Sequence, residues 1–428
     1  MAQIVTSDHE KSIMARAAKV LPAGGFGNFP ADIVLKKGKG SRVWDESGNE
    51  YIDFLIGSGP MIVGHCNVEV NEVVREQLEL GATFFANSTP GIDLAEVICD
   101  AVACAEQIRY VSTGSEADMY AMRLARAHRK KDKILKFEGG YHGMSDYSLM
   151  SLAPKTLANF PQAVPDSAGI SDFVKDNVIV APFNDIEAMH RLINEYKDEL
   201  AGVIVEPLQR LIPPKPGFLE ALREETKKHG IVLIFDEVVT GFRFAYGGAQ
   251  EVYGVTPDLC TLGKIIGGGF PMAAIAGSEE IMAHFDKAKV GEEGFTFQVG
   301  TLSGNPVASV AGLKTMEILR RPGSYQRMYD TGNAIMKAIS DSFSKVGIPA
   351  QVVGHPTLFD VVFTDREVVD YRGVFHGDAN RSKQFNVAMR QAGILKPDSK
   401  FYIMLAHTDE DVAYTTSTIQ KIAEEMAG

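Results

Sequence analysis

The sequence contains little cysteine. Among its 428 residues there are four, and their spacing gives neither the close pairs of a zinc site nor the density of a disulfide-stapled fold. The sequence therefore excludes a small disulfide scaffold and indicates no metal site. We expect reduced, buried thiols at Cys66, Cys99, Cys104 and Cys260.

Basic charge and long apolar runs are also scarce. Lysine and arginine total 43 against 55 acidic residues, a formal net charge of -12. This balance disfavours nucleic-acid and anionic-membrane partners, which usually require a basic face. No run of about 18 uncharged apolar residues occurs, and Asp8, Glu10 and Lys11 precede any apolar run, so neither a membrane helix nor a signal peptide is predicted. We expect a cytoplasmic protein without nucleic-acid or membrane partners.

What the sequence does contain is the composition of an ordinary globular protein, with 45% apolar and 23% charged residues and length for two or three domains. We predict three segments. Residues 1–65 form an N-terminal segment with a β-hairpin, whose strands are 41–45 and 50–54. Residues 66–310 form a large α/β domain, and residues 311–428 form a smaller α+β domain.

Helical segments alternate with short apolar runs along the large domain, which is typical of a mainly parallel sheet covered by helices. The run 231–236 is apolar up to Asp236, which suits a strand buried on both faces. Ligands of such sheets bind outside the carboxyl ends of the strands. The predicted strands are 107–112, 133–137, 178–181, 202–206, 231–236 and 272–276.

The first candidate for chemistry is the turn Ser112-Thr-Gly-Ser-Glu-Ala117, between a predicted strand and a predicted helix. Backbone N–H groups at a helix N-terminus are free to bind a phosphate, and Ser115 adds a hydroxyl donor. An ordinary capping turn has the same composition, so both interpretations stay open on this turn alone.

Asp236 and Lys264 are the other two candidates. Asp236 ends a predicted strand, where an acid either pairs with a ligand cation or caps the next turn. Lys264 lies in the run Leu262-Gly-Lys-Ile-Ile-Gly-Gly-Gly269. Burial among apolar residues would lower the pKa of its amine toward nucleophilic use, although a surface lysine after a turn fits the same run.

An amine, an acid and an anion-binding turn are together what pyridoxal phosphate requires. The cofactor needs a lysine for its Schiff base, an acid that keeps its pyridine nitrogen protonated, and a phosphate site. Tyr141 follows the strand 133–137 and either stacks on the cofactor or belongs to the core. We therefore predict a pyridoxal-phosphate enzyme of the aminotransferase type, with Lys264 as the Schiff-base lysine.

Seven motifs in sequence order carry a family resemblance. They are Ser112-Thr-Gly-Ser-Glu-Ala, Tyr141-His-Gly, Glu206-Pro, Asp236-Glu-Val, Thr240-Gly-Phe-Arg, Leu262-Gly-Lys and Gly300-Thr-Leu-Ser-Gly-Asn-Pro. Over essentially its whole length the chain resembles the class III pyridoxal-phosphate aminotransferases of fold type I. The resemblance implies an α/β fold, with a mainly parallel seven-stranded sheet in the large domain and a smaller α+β domain.

The resemblance also implies catalytic roles. Lys264 would move the proton between substrate and cofactor, and Asp236 would pair with the pyridine nitrogen. Val238 would pack on the ring face opposite Tyr141. An amine, a β-amino acid or an ω-amino acid would give its amino group to a 2-oxo acid in two half-reactions, a ping-pong mechanism.

Further binding roles follow from the same resemblance. Gly114 and Ser115 would hold the phosphate, while Glu206 and Gln209 would lie near the phenolic side of the cofactor. A threonine at the position of Thr301 reaches the phosphate bound by the neighbouring subunit in the family. The resemblance therefore implies a homodimer with shared active sites.

Within the family, the chain looks most like the glutamate-1-semialdehyde 2,1-aminomutases, from Ser41-Arg-Val-Trp-Asp45 to Leu405-Ala-His-Thr408. In those enzymes the loop after the first helix carries an arginine for the substrate carboxylate, and residues 26–33 contain none here. Their acid shortly before Leu405 is missing too. We therefore predict an intermolecular transaminase, with the aminomutase reaction and a racemase as alternatives, and Arg210 as a candidate replacement for the arginine.

Three phenylalanines complete the candidates. Phe26, Phe29 and Phe85 either line an apolar substrate pocket or pack in the core, and core packing is the expected role for each one taken alone.

Overall fold

The computed structural model describes residues 4–428, which form two compact units. The smaller unit contains the chain before Glu69 together with Pro322–Arg366 and His376–Gly428. The larger unit contains Glu69–Arg321 and Glu367–Phe375. The domain boundaries at residues 65 and 310 stay a prediction.

Helices and strands alternate through much of the described chain. The α-helices are α1 Asp8–Val20, α2 Val68–Leu80, α3 Thr89–Ala101, α4 Gly114–Arg129, α5 Asp172–Lys175, α6 Ile186–Tyr196, α7 Phe218–Lys228, α8 Gly248–Tyr253, α9 Glu279–Met282, α10 Lys287–Gly294, α11 Pro306–Leu319, α12 Ser324–Lys345, α13 Tyr371–Phe375, α14 Ala379–Gln391 and α15 Asp409–Ala427. The strands are β1 Leu35–Lys39, β2 Arg42–Asp45, β3 Glu50–Asp53, β4 Gln107–Val111, β5 Lys133–Phe137, β6 Val178–Ala181, β7 Leu200–Val205, β8 Val232–Asp236, β9 Leu259–Leu262, β10 Ala273–Gly277, β11 Gln351–His355, β12 Leu358–Val362, β13 Ile394–Leu395 and β14 Phe401–Tyr402.

The larger unit is built on a seven-stranded sheet with the order β4-β10-β9-β8-β7-β5-β6. The strands β6, β5, β7, β8 and β9 pair in parallel, and β10 runs antiparallel to both β9 and β4. The predicted α/β fold with a mainly parallel seven-stranded sheet is therefore confirmed. β9 was not among the predicted strands.

Helix α4 covers the middle of this sheet. Its inner face includes the small residues Ala117, Ala121 and Ala125, which are buried in one core cluster with β-strand residues such as Ile204 and Ile234. Small side chains let the helix axis lie close to the strands. The N-terminus of α4 is thereby held beside the strand ends.

The smaller unit contains two further sheets, with the orders β1-β2-β3-β13 and β11-β12-β14. The predicted hairpin is confirmed, since β2 and β3 pair antiparallel with Val43 opposite Tyr51. Ile394 and Leu395 of β13 add a parallel partner to β3. This pairing joins two segments of the smaller unit that are more than 300 residues apart in the chain.

The cysteines differ from the prediction in part. Cys104 and Cys260 are buried and Cys99 is half-buried, but Cys66 is exposed. The expectation of buried thiols was therefore wrong for Cys66, which lies in a turn before α2 at a positive φ of 50°. In the described residues, no helix has both the length and the apolar character needed to cross a bilayer.

Candidate active site

The carboxyl ends of β8 and β9 place the acid and the lysine at one edge of the sheet. Asp236 is the last residue of β8, and its Cα partner on the parallel neighbour β9 is Thr261. Lys264 follows three residues after Thr261, at the start of a short 3₁₀ turn that ends at Gly267. The lysine is half-buried rather than a surface side chain.

The N-terminus of α4 leaves two backbone donors available. Thr113 caps the helix, and its hydroxyl oxygen accepts from the backbone N–H of Glu116 at 3.2 Å. The Glu116 carboxylate in turn accepts from the N–H groups of Ser112 and Thr113, each at 2.9 Å. The turn is thus a true capping turn. The N–H groups of Gly114 and Ser115 lie in the first helical turn, where no intrahelical acceptor exists, and they could bind a phosphate.

Val238 joins the segments that carry these groups. A Cβ added at Gly114 would lie 2.9 Å from Val238 Cγ1, and one added at Gly263 would lie 3.2 Å from the same atom. The helix N-terminus and the residue before Lys264 therefore both contact one valine side chain. Because Val238 is two residues after Asp236, the three candidates from the sequence come together around it.

The loop after β5 brings Tyr141 to the same place. The backbone N–H of Tyr141 donates to Glu206 Oε2 at 2.8 Å, and His142 Nδ1 lies 2.9 Å from Asp236 Oδ2. Tyr141 is 38% exposed, so it is not the buried core residue that was the alternative interpretation. Its ring is accessible at a site where a planar ligand could stack on it.

Asp236 is buried and serves two purposes. Its Oδ1 accepts from the backbone N–H of Val238 at 3.1 Å, so it does cap the next turn. Its Oδ2 faces His142, and burial lowers the pKa of that imidazole although the carboxylate opposes the shift. A neutral imidazole has one N–H, so Nδ1 donates to Asp236 and Nε2 is a bare acceptor. His142 Nε2 is buried without a hydrogen-bond partner in the described chain.

Gln209 and Arg210 lie on a tight turn after β7. The backbone of Gln209 exchanges hydrogen bonds with that of Ile212, at 3.0 and 2.9 Å, so Arg210 is at the tip, with a φ of 61°. The Gln209 side chain donates to Glu138 O at 2.7 Å, and its Oε1 is buried without a partner in the described residues. Glu206, Gln209 and the Tyr141 loop therefore lie together.

Two buried ionisable residues beside the site were missed from the sequence. Lys136 on β5 donates to the carbonyl oxygens of Gly140, Ser148 and Met150, at 3.1, 2.8 and 2.6 Å, and burial lowers its pKa to about 7. Asp118 on α4 is hydrogen-bonded to Thr261 Oγ1 at 2.6 Å. A polar residue on an otherwise apolar helix face or strand was the signal that could have found both.

Thr301 and the three phenylalanines are the remaining candidates from the sequence. Thr301 is exposed in the turn before α11, and its role toward a partner's phosphate stays a prediction. Phe26 and Phe85 are 85% and 71% exposed, so core packing was the wrong expectation for them. Phe29 is half-buried and packs against a buried cluster that includes Val43.

The arrangement fits the cofactor expected from the sequence. A buried carboxylate, an amine on the neighbouring strand end and two unoccupied helical N–H groups are the donors and acceptors that a phosphorylated pyridine aldehyde needs. The unpaired Nε2 of His142 and Oε1 of Gln209 are buried polar atoms that a bound polar group would satisfy.

Comparison with known proteins gives a consistent result. A family model described as aminotransferase class-III matches residues 26–423. The chain is 41% identical over 425 residues to glutamate-1-semialdehyde 2,1-aminomutase 2 of Brevibacillus brevis, covering 95% of this chain and 97% of that protein. An omega-transaminase from Sphaerobacter thermophilus has 35% identity and a TM-score of 0.91, with 98% of both chains covered. A transaminase with PLP bound has 27% identity and a TM-score of 0.90, with 99% of both covered.

The contact between Gly143 and Ser115 yields a stability prediction. Gly143 has a φ of +82°, and an added Cβ would lie 2.5 Å from Ser115 Cα, a backbone atom. We expect Gly143→Ala to lower the free energy of unfolding in urea by about 2 to 4 kcal/mol, from backbone strain and overpacking together.

Gly217→Ala is the matched control for this variant. Gly217 has a similar φ of +85° but open space around the added Cβ. It should cost only the backbone term, about 1 to 2 kcal/mol. Equal losses for the two variants would contradict the packing of the Tyr141 loop against α4.

Proposed function

Because the chain belongs to the class-III aminotransferase family, we propose that it is a pyridoxal-phosphate enzyme that moves an amino group within or between small molecules. The observation that carries the proposal is the meeting of Asp236, Gly114 and the Lys264 turn around Val238. A related transaminase, 27% identical, has PLP bound, which supports the choice of cofactor.

When bound, pyridoxal phosphate would supply an electron sink for the bonds at the amino-bearing carbon of the substrate. Lys264 would hold the cofactor and then take and return the proton at that carbon. The Asp236 carboxylate would hold a proton on the ring nitrogen. Tyr141 and Val238 would bind the two faces of the ring.

The phosphate would be bound at the start of α4. The N–H groups of Gly114 and Ser115 and the Ser115 hydroxyl are the donors proposed for it, and the helix dipole favours an anion there. Glu206 and Gln209 would lie at the phenolic edge of the ring.

Intramolecular transfer, the glutamate-1-semialdehyde 2,1-aminomutase reaction, is the first activity that we propose. It is supported by 41% identity along nearly the whole length to a protein of that name. This reverses the order predicted from the sequence, where the aminomutase was the alternative. The missing arginine in residues 26–33 does not outweigh the similarity along the whole chain.

Intermolecular transamination is the second candidate. It is favoured by the lack of arginine in residues 26–33 and by the likeness to the Sphaerobacter omega-transaminase. The two reactions use the same lysine and acid, and they differ in whether a second carbonyl compound must be added.

A homodimer is part of the proposal. Several apolar side chains near Thr301 are exposed, with Phe297 at 70% and Val299 at 58%. Phe85, also exposed, lines one cleft with Val299 and Gly300. Exposed apolar patches of this kind mark interfaces, and a second copy would cover them while presenting Thr301 to the phosphate of its partner. We also propose a cytoplasmic location.

The reaction type is tested by supplying glutamate-1-semialdehyde to purified, cofactor-loaded protein without any 2-oxo acid. We expect isomerisation by the native protein. The variant Asp236→Asn should keep the fold but lower turnover by about 100-fold or more, because the ring nitrogen would lose its proton. If amino transfer occurs only when pyruvate or 2-oxoglutarate is added, transamination replaces the aminomutase assignment.

Arg210 is proposed to receive the substrate carboxylate. It makes no ion pair within residues 4–428. Burial raises the pKa of the Tyr141 phenol, and the charge of Arg210 acts in the opposite direction, which is consistent with a position near Tyr141. We expect Arg210→Ala to raise KM for carboxylate substrates about tenfold or more with a smaller change in kcat, and Arg210→Lys to restore only part.

Arg191→Ala on α6 is the control, because Arg191 is exposed in the same unit. It should leave KM unchanged. An unchanged KM in Arg210→Ala would remove Arg210 from substrate binding.

A further inference from the structure

Two buried carboxyl groups meet at the end of β8. Asp118 and Asp236 are 2% and 5% exposed. One hydroxyl lies between them, since Thr261 Oγ1 is 2.6 Å from Asp118 Oδ1 and 3.4 Å from Asp236 Oδ1. A hydroxyl has one hydrogen and can donate to only one of the two acids.

Asp236 accepts more hydrogen bonds than Asp118 does. Asp236 receives the Val238 backbone N–H and the His142 Nδ1–H. Within residues 4–428, the groups hydrogen-bonded to Asp118 are the Thr261 hydroxyl and the Asp236 carboxyl. Donors stabilise an anion, so the charge belongs on Asp236 and a proton belongs on Asp118.

The charges on the neighbouring elements also favour the protonated form of Asp118. Burial raises the pKa of Asp118 well above its usual value, and the negative charges of Asp236 and Glu206 raise it further, while the Thr261 hydrogen bond lowers it. His142, which contacts Asp236 from the β5 loop, is neutral because burial lowers its pKa. Two adjacent buried acids cannot both ionise without a large cost.

We propose that Asp118 is a positioning residue that keeps a proton at neutral pH and thereby leaves Asp236 as the only anion of the pair. The Thr261 hydroxyl donates to Asp118 Oδ1, and the proton of the Asp118 carboxyl is donated to the Asp236 carboxylate. The link to the cofactor ring rests on the proposed function, whereas the protonation of Asp118 does not.

The proton has a functional consequence. If Asp118 were ionised, the negative charge beside Asp236 would draw a proton to one of the two acids. Asp236 could then lose the charge that pairs with a pyridinium nitrogen. When Asp118 is neutral, the negative charge stays on Asp236, the acid proposed to pair with the ring nitrogen.

The experiment compares infrared spectra of the cofactor-loaded full chain and of Asp118→Asn at pH 7. We expect the carbonyl band of a protonated carboxylic acid in the native protein, and its loss in the variant. Identical spectra in that region would overturn the proposal. The band reports protonation whether or not the protein catalyses amino transfer, so the outcome is independent of the proposed activity.

The pH profile gives the second measurement. Asp118→Asn should keep kcat at pH 7 within about threefold, because an amide has the shape and neutrality of the protonated acid. It should also lose the alkaline decline in kcat/KM that removal of the Asp118 proton causes in the native protein. A loss of kcat of about 100-fold or more at pH 7 would mean that an ionised Asp118 is needed, and would contradict the proposal.

Discussion

The parallel pairing of β8 with β9 is the constraint on which the site depends. The register that sets Asp236 beside Thr261 also fixes the Lys264 turn beyond the end of the next strand. Moving this register by two residues would displace the turn by about 7 Å relative to Asp236. The sheet register, rather than a flexible loop, therefore sets the spacing between the acid and the amine.

Close packing adds a second constraint around Val238. Gly114 and Gly263 approach its side chain so closely that an added methyl group would collide with it or press on it. The same region contains several buried acids, although only some have donors that suit an anion. The backbone sets where each group lies, and the hydrogen-bond donors set which group is charged.

Much of the larger unit follows from local patterns in the sequence. The apolar run before Asp236 predicted a buried strand and an acid at its end, and both are present. Strand β9 was not predicted, and its place between β8 and β10 is a matter of long-range pairing, which no local pattern encodes. Asp118 was missed because its importance comes from Thr261 and Asp236, which are more than 100 residues away in the chain. The reaction was also harder to predict than the cofactor site, because the missing arginine in residues 26–33 and the similarity along the whole chain favour different reactions.

We propose that Lys264 is the amine that holds the cofactor, and reduction of the loaded protein followed by peptide mapping tests this role. The protein is loaded with pyridoxal phosphate, treated with borohydride, digested and analysed by mass spectrometry. We expect the reduced cofactor to be attached to the peptide that contains Lys264. Attachment to another lysine, such as the buried Lys136, or to no lysine, would contradict it.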